Sequence, residues 1–215
     1  MKGSERVLLK PKSHDIMARV LIACECSQVE CLAFRAHGHE AYSADIQPCY
    51  GGHPEWHILG DVRNVQMEHW ELVIAHPPCT YLSAAGATSM FYSPSSCLRP
   101  GNINPERYAL MLEGRAFFYW FLDNVSCPLA IENPRPLRCA ALPPWSQVIC
   151  PTMFGERYMK RTCLWLRDLP PLLPTSAQDK RSGGWLLHCS SSSNRRSRSF
   201  EGVADAMARQ WGGLL

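Results

Sequence analysis

The chain has 215 residues, of which 46% are hydrophobic and 19% charged, the balance of a globular domain large enough for a full core. A formal net charge of +3 excludes a protein that is basic over its whole surface, and no apolar run approaches the roughly 18 residues that span a bilayer. The amino-terminal "MKGSERVLLKPKSHD" is basic but has neither a continuous apolar segment nor a small-residue cleavage site, so an intracellular, cytoplasmic protein is expected.

The first element predicted is a buried strand, "RVLIACE" (Arg19 to Glu25), which runs into a loop of small and acidic residues. In "SQVECLAFRAHGH", Val29, Leu32, Ala33 and Ala36 recur at helical spacing and Gly38 ends the helix. "EAYSADI" is a second strand ending on Asp45, and "HILGDV" a shorter third ending near Asp61. "WELVIAHPP" is the fourth and most apolar strand, stopped by two prolines that lack backbone donors. A loop-rich stretch leads to a helix over Glu106–Val125. "PLAIENP" is a fifth strand, and "KRTCLWLRDLPPL" a further strand closing on a proline turn. Residues Pro174 to Arg198 are rich in Ser, Gly and Arg and read as loop. "FEGVADAMARQWG" reads as a final amphipathic helix. The expected organisation is an arm (1–18), a core (19–173), a short Ser/Arg-rich loop (174–198) and a terminal helix packed back on the core (199–215).

Strands alternating with helices imply an α/β fold in one domain, with a mostly parallel Rossmann-like sheet covered on both faces. Ligands of such sheets gather at the carboxyl ends of the strands. Glu25, Asp45, Asp61, Cys79 and Glu132 all fall at or just past such ends. An acid after the second strand suits ribose hydroxyls, and one after the third suits an adenine amino group. The first loop, "ACECSQV", has no GxGxxG, which disfavours a pyrophosphate-bearing cofactor and leaves S-adenosylmethionine open. The same acids also suit simple loop caps. Cys79 in "HPPC" and Glu132 in "AIENP" form a second pair, a thiol beside an acid, suited to attack on a heterocycle with ring protonation.

Eleven cysteines without an export signal read as free thiols, mostly small core residues. "CECSQVEC" lacks the paired spacing of a zinc site, and no metal is expected. Lys180, Arg181, Arg195, Arg196 and Arg198 concentrate positive charge near the carboxyl terminus, suited either to phosphates or to a solvated loop.

"VLIACECSQVECLAFRAHGHEAYSADI", "GDV", "LVIAHPPCTYLSAAG" and "AIENP" stand in the order found in cytosine-5 DNA methyltransferases, and the chain most resembles the short methyltransferase-like proteins often encoded by bacteriophages. The resemblance covers about residues 19–170, with a weaker echo at 199–212 in "SRSFEGVADAMARQWG". It implies an S-adenosylmethionine-dependent methyltransferase fold. Cys79 would be the nucleophile and Glu132 the acid on the ring nitrogen, with Lys160 and Arg161 beside them in place of the family's Gln-x-Arg-x-Arg. The cofactor would meet Ala23, Cys24, Glu25, Ser27, Asp45, Ile46, Asp61, Val62 and Pro77. The partner implied is duplex DNA with a flipped base, bound by a monomer.

Three departures stand out: Glu-Asn-Pro for Glu-Asn-Val, a first loop without the usual phenylalanine and glycines, and a target-recognition region reduced to Pro174–Arg198. Two other readings therefore stay open: the same chemistry on a free pyrimidine nucleotide or modified base, or a non-catalytic relic that binds nucleic acid or cofactor.

Overall fold

The computed structural model describes residues 17–84, 90–92, 101–176 and 198–215. Seven strands form one sheet: β1 (Arg19–Ala23), β2 (Glu40–Asp45), β3 (His57–Leu59), β4 (Leu72–Ala75), β5 (Leu129–Pro134), β6 (Gln147–Ile149) and β7 (Thr162–Arg167). Their spatial order is β3-β2-β1-β4-β5-β7-β6. The pairings from β3 through to β5 are parallel, whereas β7 runs antiparallel to both β5 and β6. The α/β class and the mostly parallel, Rossmann-like sheet expected from the sequence are present. Strand β6 was not expected: it has three residues, and Val148 at its centre is exposed.

Residues alternate strictly between two cores. Leu21, Ala23, Val73, Ala75, Leu129, Ile131, Cys163 and Trp165 face helix α2 (Pro105–Asn124), whose Met111, Phe118 and Phe121 are buried. Val20, Ile22, Leu72, Ile74, Ala130 and Leu164 face α1 (Val29–Ala36) and α3 (Glu201–Gly212), which meet them with Cys31, Phe34, Met207 and Trp211. Burial on both faces explains why β1 and β4 read as unbroken apolar runs rather than alternating ones. Helix α2 starts at Pro105, one residue before the expected Glu106. Asn104 caps it, its Oδ1 accepting from the amides of Glu106 and Arg107. Trp211 of α3 donates its indole N–H to the Pro170 carbonyl at 2.9 Å, fastening the last helix to the turn after β7.

Nine cysteines lie among the described residues, and all are free. As expected, most are core residues: Cys31, Cys150 and Cys163 are buried, and Cys24, Cys127 and Cys139 pack half-buried against the core. Among the described residues no helix is long and apolar enough to cross a membrane.

Candidate active site

At the exits of β1, β2 and β3 the chain makes a compact set of loops. Cys24 adopts φ 61° and Gln28 φ 63°, the left-handed region that costs a side-chain-bearing residue some strain. The contacts around them hold that geometry. Glu25 is buried, and its Oε1 accepts from Ser27 Oγ at 2.9 Å and from the Glu30 amide at 3.0 Å, serving the amino end of α1 in place of a cap. Gln28 clamps His53, donating to its carbonyl at 2.7 Å and accepting from its amide at 3.1 Å. Gly51 packs so tightly over this loop that a Cβ there would lie 2.5 Å from Gln28 Cβ and 2.6 Å from the Ser27 carbonyl.

The acids at β2 and β3 are satisfied locally. Asp45 Oδ1 accepts from the Gln47 amide at 2.8 Å, and no described residue donates to its second oxygen. Asp61 caps the turn over Val62–Asn64 and pairs with the Arg63 guanidinium through both oxygens, which holds its carboxyl below the usual range. Ile46 beside Asp45 is 74% exposed, whereas Val62 is buried. Burial, then Asp45 and Asp61, push the Cys24 thiol far above its ordinary value, which disfavours its thiolate.

The exit of β4 is fastened to β5. His76 still pairs with β1, its amide donating to Ala23 at 2.9 Å, before Pro77 and Pro78 end the ladder. Asn133 donates its side-chain N–H to the Pro77 carbonyl at 3.3 Å. The amides of Leu82 and Ser83 both fold back on the Cys79 carbonyl, at 3.1 and 2.9 Å. Ala84 then takes the Arg135 carbonyl at 2.8 Å, and Leu137 the Leu82 carbonyl at 2.7 Å. The cysteine turn is thus held from three sides.

Alternation decides which side chains meet behind it. His76, Glu132 and Thr162 continue the parity that points to α1 and α3. His76 donates from Nε2 to Glu30 Oε2 at 2.7 Å and from Nδ1 to Glu132 Oε2 at 3.4 Å. Thr162 donates its hydroxyl to Glu132 Oε1. These four residues and Lys160 line a small pocket of about 40 Å³, closed on one side by Phe200, Val203 and Met207. Burial opposes charge on His76, but the carboxylates of Glu30 and Glu132 outweigh it and hold the imidazolium well above its ordinary range. Burial likewise pushes the Glu132 carboxyl up. The His76 hydrogen bond, the Lys160 charge and the Thr162 hydroxyl outweigh that and bring it down to about 2. Glu25, buried and next to Glu30, is raised to about 7.

Cys79 is half-buried and lies outside the pocket wall. Burial and the Glu132 charge outweigh the Lys160 charge and hold its thiol above the ordinary value. Of the residues singled out from sequence, Cys79, Glu132, Lys160 and the buried Pro77 come together. Arg161 has the opposite parity from Lys160 and Thr162, is exposed, and is absent from the pocket wall. Arg198 is exposed and pairs with Glu201 at 2.9 Å, while Lys180, Arg181, Arg195 and Arg196 lie outside the described residues. The three residues joined to Glu132 in the hydrogen-bonded cluster, Glu30, His76 and Thr162, were missed by sequence reasoning. For His76 and Thr162 the available signal was strand parity with Glu132. Glu30 offered no signal beyond an acid in a first helical turn.

No family model matches the chain, and no curated protein does. Among solved structures, an RNA methyltransferase from Salinibacter ruber in complex with S-adenosyl-L-homocysteine aligns with a TM-score of 0.35 and 8% identity, over 76% of this chain and 87% of that one. A likeness that loose says nothing about what this chain does.

Proposed function

We propose that the protein is an S-adenosylmethionine-dependent methyltransferase that methylates carbon 5 of cytosine in DNA, with Cys79 as nucleophile. The observation that supports this most is the clamp between the two motifs. Asn133 of Glu-Asn-Pro holds Pro77 of Pro-Pro-Cys across 56 residues of sequence, so the thiol loop is fastened to the strand that carries a half-buried carboxylate held below its usual range. A cysteine that only filled a gap needs no such fastening.

The residues present fit the cofactor. Glu25 Oε2 is buried with no hydrogen-bond partner, which a ligand ammonium would satisfy. The second oxygen of Asp45 suits ribose hydroxyls, and exposed Ile46 offers apolar surface to a purine. Asp61, Val62 and the loop of Ala23, Cys24 and Ser27 complete the set. When bound, S-adenosylmethionine supplies an electrophilic methyl group.

The chain's own residues do the rest. Pro77 and Pro78 stiffen the loop, so that Cys79 is preorganised over the target ring. The Cys79 thiol gives its proton to solvent, the Lys160 charge favouring the thiolate against burial and the Glu132 charge, and a sulfur–carbon 6 bond forms. The carbon 5–carbon 6 electron pair moves toward carbon 4, and the ring nitrogen takes a proton from the Glu132 side. After carbon 5 has gained its methyl group, its proton passes to solvent, the electron pair left behind re-forms the carbon 5–carbon 6 double bond and expels the thiolate, and the ring nitrogen returns its proton to the Glu132 side. In duplex DNA the base first leaves the stack, and Lys180, Arg181, Arg195, Arg196 and Arg198 would meet phosphates.

The test is trapping on a duplex carrying 5-fluorocytosine with S-adenosylmethionine, read by intact mass. A covalent adduct is expected that disappears in Cys79→Ser, whose turnover falls below detection while calorimetric cofactor affinity is unchanged. Absence of an adduct on the duplex, with one on 5-fluorodeoxycytidine monophosphate, would transfer the chemistry to a nucleotide. Loss of cofactor binding in Cys79→Ser would overturn the assignment of that residue.

A further inference from the structure

We infer that Glu30 and His76 form a proton-holding pair behind Glu132, so that the proton given to the target ring is stored on His76 and passed through Glu132. This rests on the methyltransferase reading and assigns within it two positioning residues, neither of which touches the base.

Three elements converge to build the array: Glu30 from the first turn of α1, His76 from the exit of β4, and Glu132 from β5. The pairs are separated by 46 and 56 residues of sequence, so the arrangement is not a by-product of local chain geometry. Both oxygens of Glu132 already accept, one from Thr162 and one from His76. An ionised carboxylate is an acceptor only and has no proton to give to a ring nitrogen. Of the groups beside Glu132, Thr162, Lys160 and His76 carry protons, and the Cys79 thiol has given up its own before it attacks. A threonine hydroxyl is far too weak an acid, and an ammonium normally holds its proton to about pH 10. Imidazolium is the strongest acid of the three, even with the Glu30 and Glu132 carboxylates holding it above its ordinary range.

The two hydrogen bonds on the ring are unequal. Nε2 is anchored to Glu30 at 2.7 Å, whereas Nδ1 stands 3.4 Å from Glu132, so the loosely held proton is the one facing the site. The step balances as follows. The Nδ1 proton moves to Glu132 Oε2, and Glu132 passes it to the ring nitrogen as the sulfur–carbon 6 bond forms. Neutral His76 keeps its Nε2–H on Glu30. When the thiolate departs, the ring proton returns along the same route. The charged and titratable groups around His76 are Glu30 on α1, Glu132 on β5, Glu25 behind Glu30, Lys160 beyond Glu132, and Cys79 on its own loop.

Two measurements on the full chain test the pair: nitrogen-15 NMR titration of the His76 imidazole, and the pH dependence of adduct formation on the 5-fluorocytosine duplex. The wild-type ring should remain charged above pH 7, against about 6.5 for a free histidine. Glu30→Gln should lower that titration and move the alkaline limb of adduct formation down by the same interval, with a slowing about tenfold greater at pH 8 than at pH 6. His76→Gln keeps hydrogen-bonding capacity but holds no transferable proton, and should slow the reaction about 100-fold with a flat profile and a cooperative melt. A wild-type His76 that titrates near its ordinary value overturns the inference without any variant. So does a Glu30→Gln profile that stays in place while the His76 titration falls, which would make the pair structural. A wild type that forms no adduct at any pH fails the parent reading instead, and removes the relay with it.

Discussion

At the exits of β2 and β3 each carboxylate finds its partner two residues away, Asp45 at the Gln47 amide and Asp61 at Arg63. At the exits of β4 and β5 the partners lie 46, 56 and 30 residues apart, and Glu30, His76, Glu132 and Thr162 hold one another across four elements. The first region is a series of independent caps on exposed turns. The second is a buried charge network in which each member's protonation depends on the others. A change in the first is expected to act locally and modestly, because solvent screens it. A change in the second leaves an uncompensated charge inside the protein.

The largest effect expected of a test of this difference comes from Glu132→Gln, which removes the negative charge between His76 and Lys160. Adduct formation should fall by about 100- to 10,000-fold. The folded Glu132 carboxyl sits near 2 against an ordinary 4.5, so its ionisation stabilises the fold above about pH 4.5 and that contribution is lost as pH falls toward 2. His76 has the opposite sign: raised above 6.5, it contributes fully below that value and loses its contribution as pH climbs through the folded value. Urea unfolding of Glu132→Gln should therefore show a marked loss at pH 7 and a much smaller one at pH 2.5. Equal losses at both would mean that the network is not what holds this region.

A smaller effect is expected from Asp45→Asn. The amide oxygen keeps the turn to Gln47, so the melting temperature should hold, while calorimetric S-adenosylmethionine affinity falls about tenfold. The smallest belongs to Asp61→Asn, which loses the exposed pair with Arg63. Its melting temperature should shift by no more than about 2 °C in scanning calorimetry. If either aspartate variant moved the His76 titration, the two regions would be coupled and the contrast between them would fail.

How much of this was legible in the sequence follows the same division. Strands β1 and β4 announce themselves as apolar runs because they are buried on both faces, and Cys79 and Glu132 stand in recognisable short motifs. Strand β6 was hidden because its three residues, Gln147 to Ile149, are too few to show a period and are a strand only through pairing with β7. His76 was visible as a neighbour of Cys79, but the two prolines left its direction open. Glu30 and Thr162 look like an ordinary first-turn acid and an ordinary strand threonine. Lys160 and Arg161 stood equal in sequence, and parity alone separates them, since Lys160 shares a face with Thr162 and Arg161 does not.

Alone, the sequence determined the α/β class, the strand ends where ligands gather, and the prolines that halt β4, because hydrophobic period and proline geometry act over a few residues. The tertiary structure decided which of those ends share a pocket. Placing β4 between β1 and β5, with β7 returning antiparallel beside β5, brings Glu30, His76, Glu132 and Thr162 to one face. Such neighbours are set by crossovers that no local pattern encodes, and their charge states follow from burial among one another, which exists only once the chain has folded.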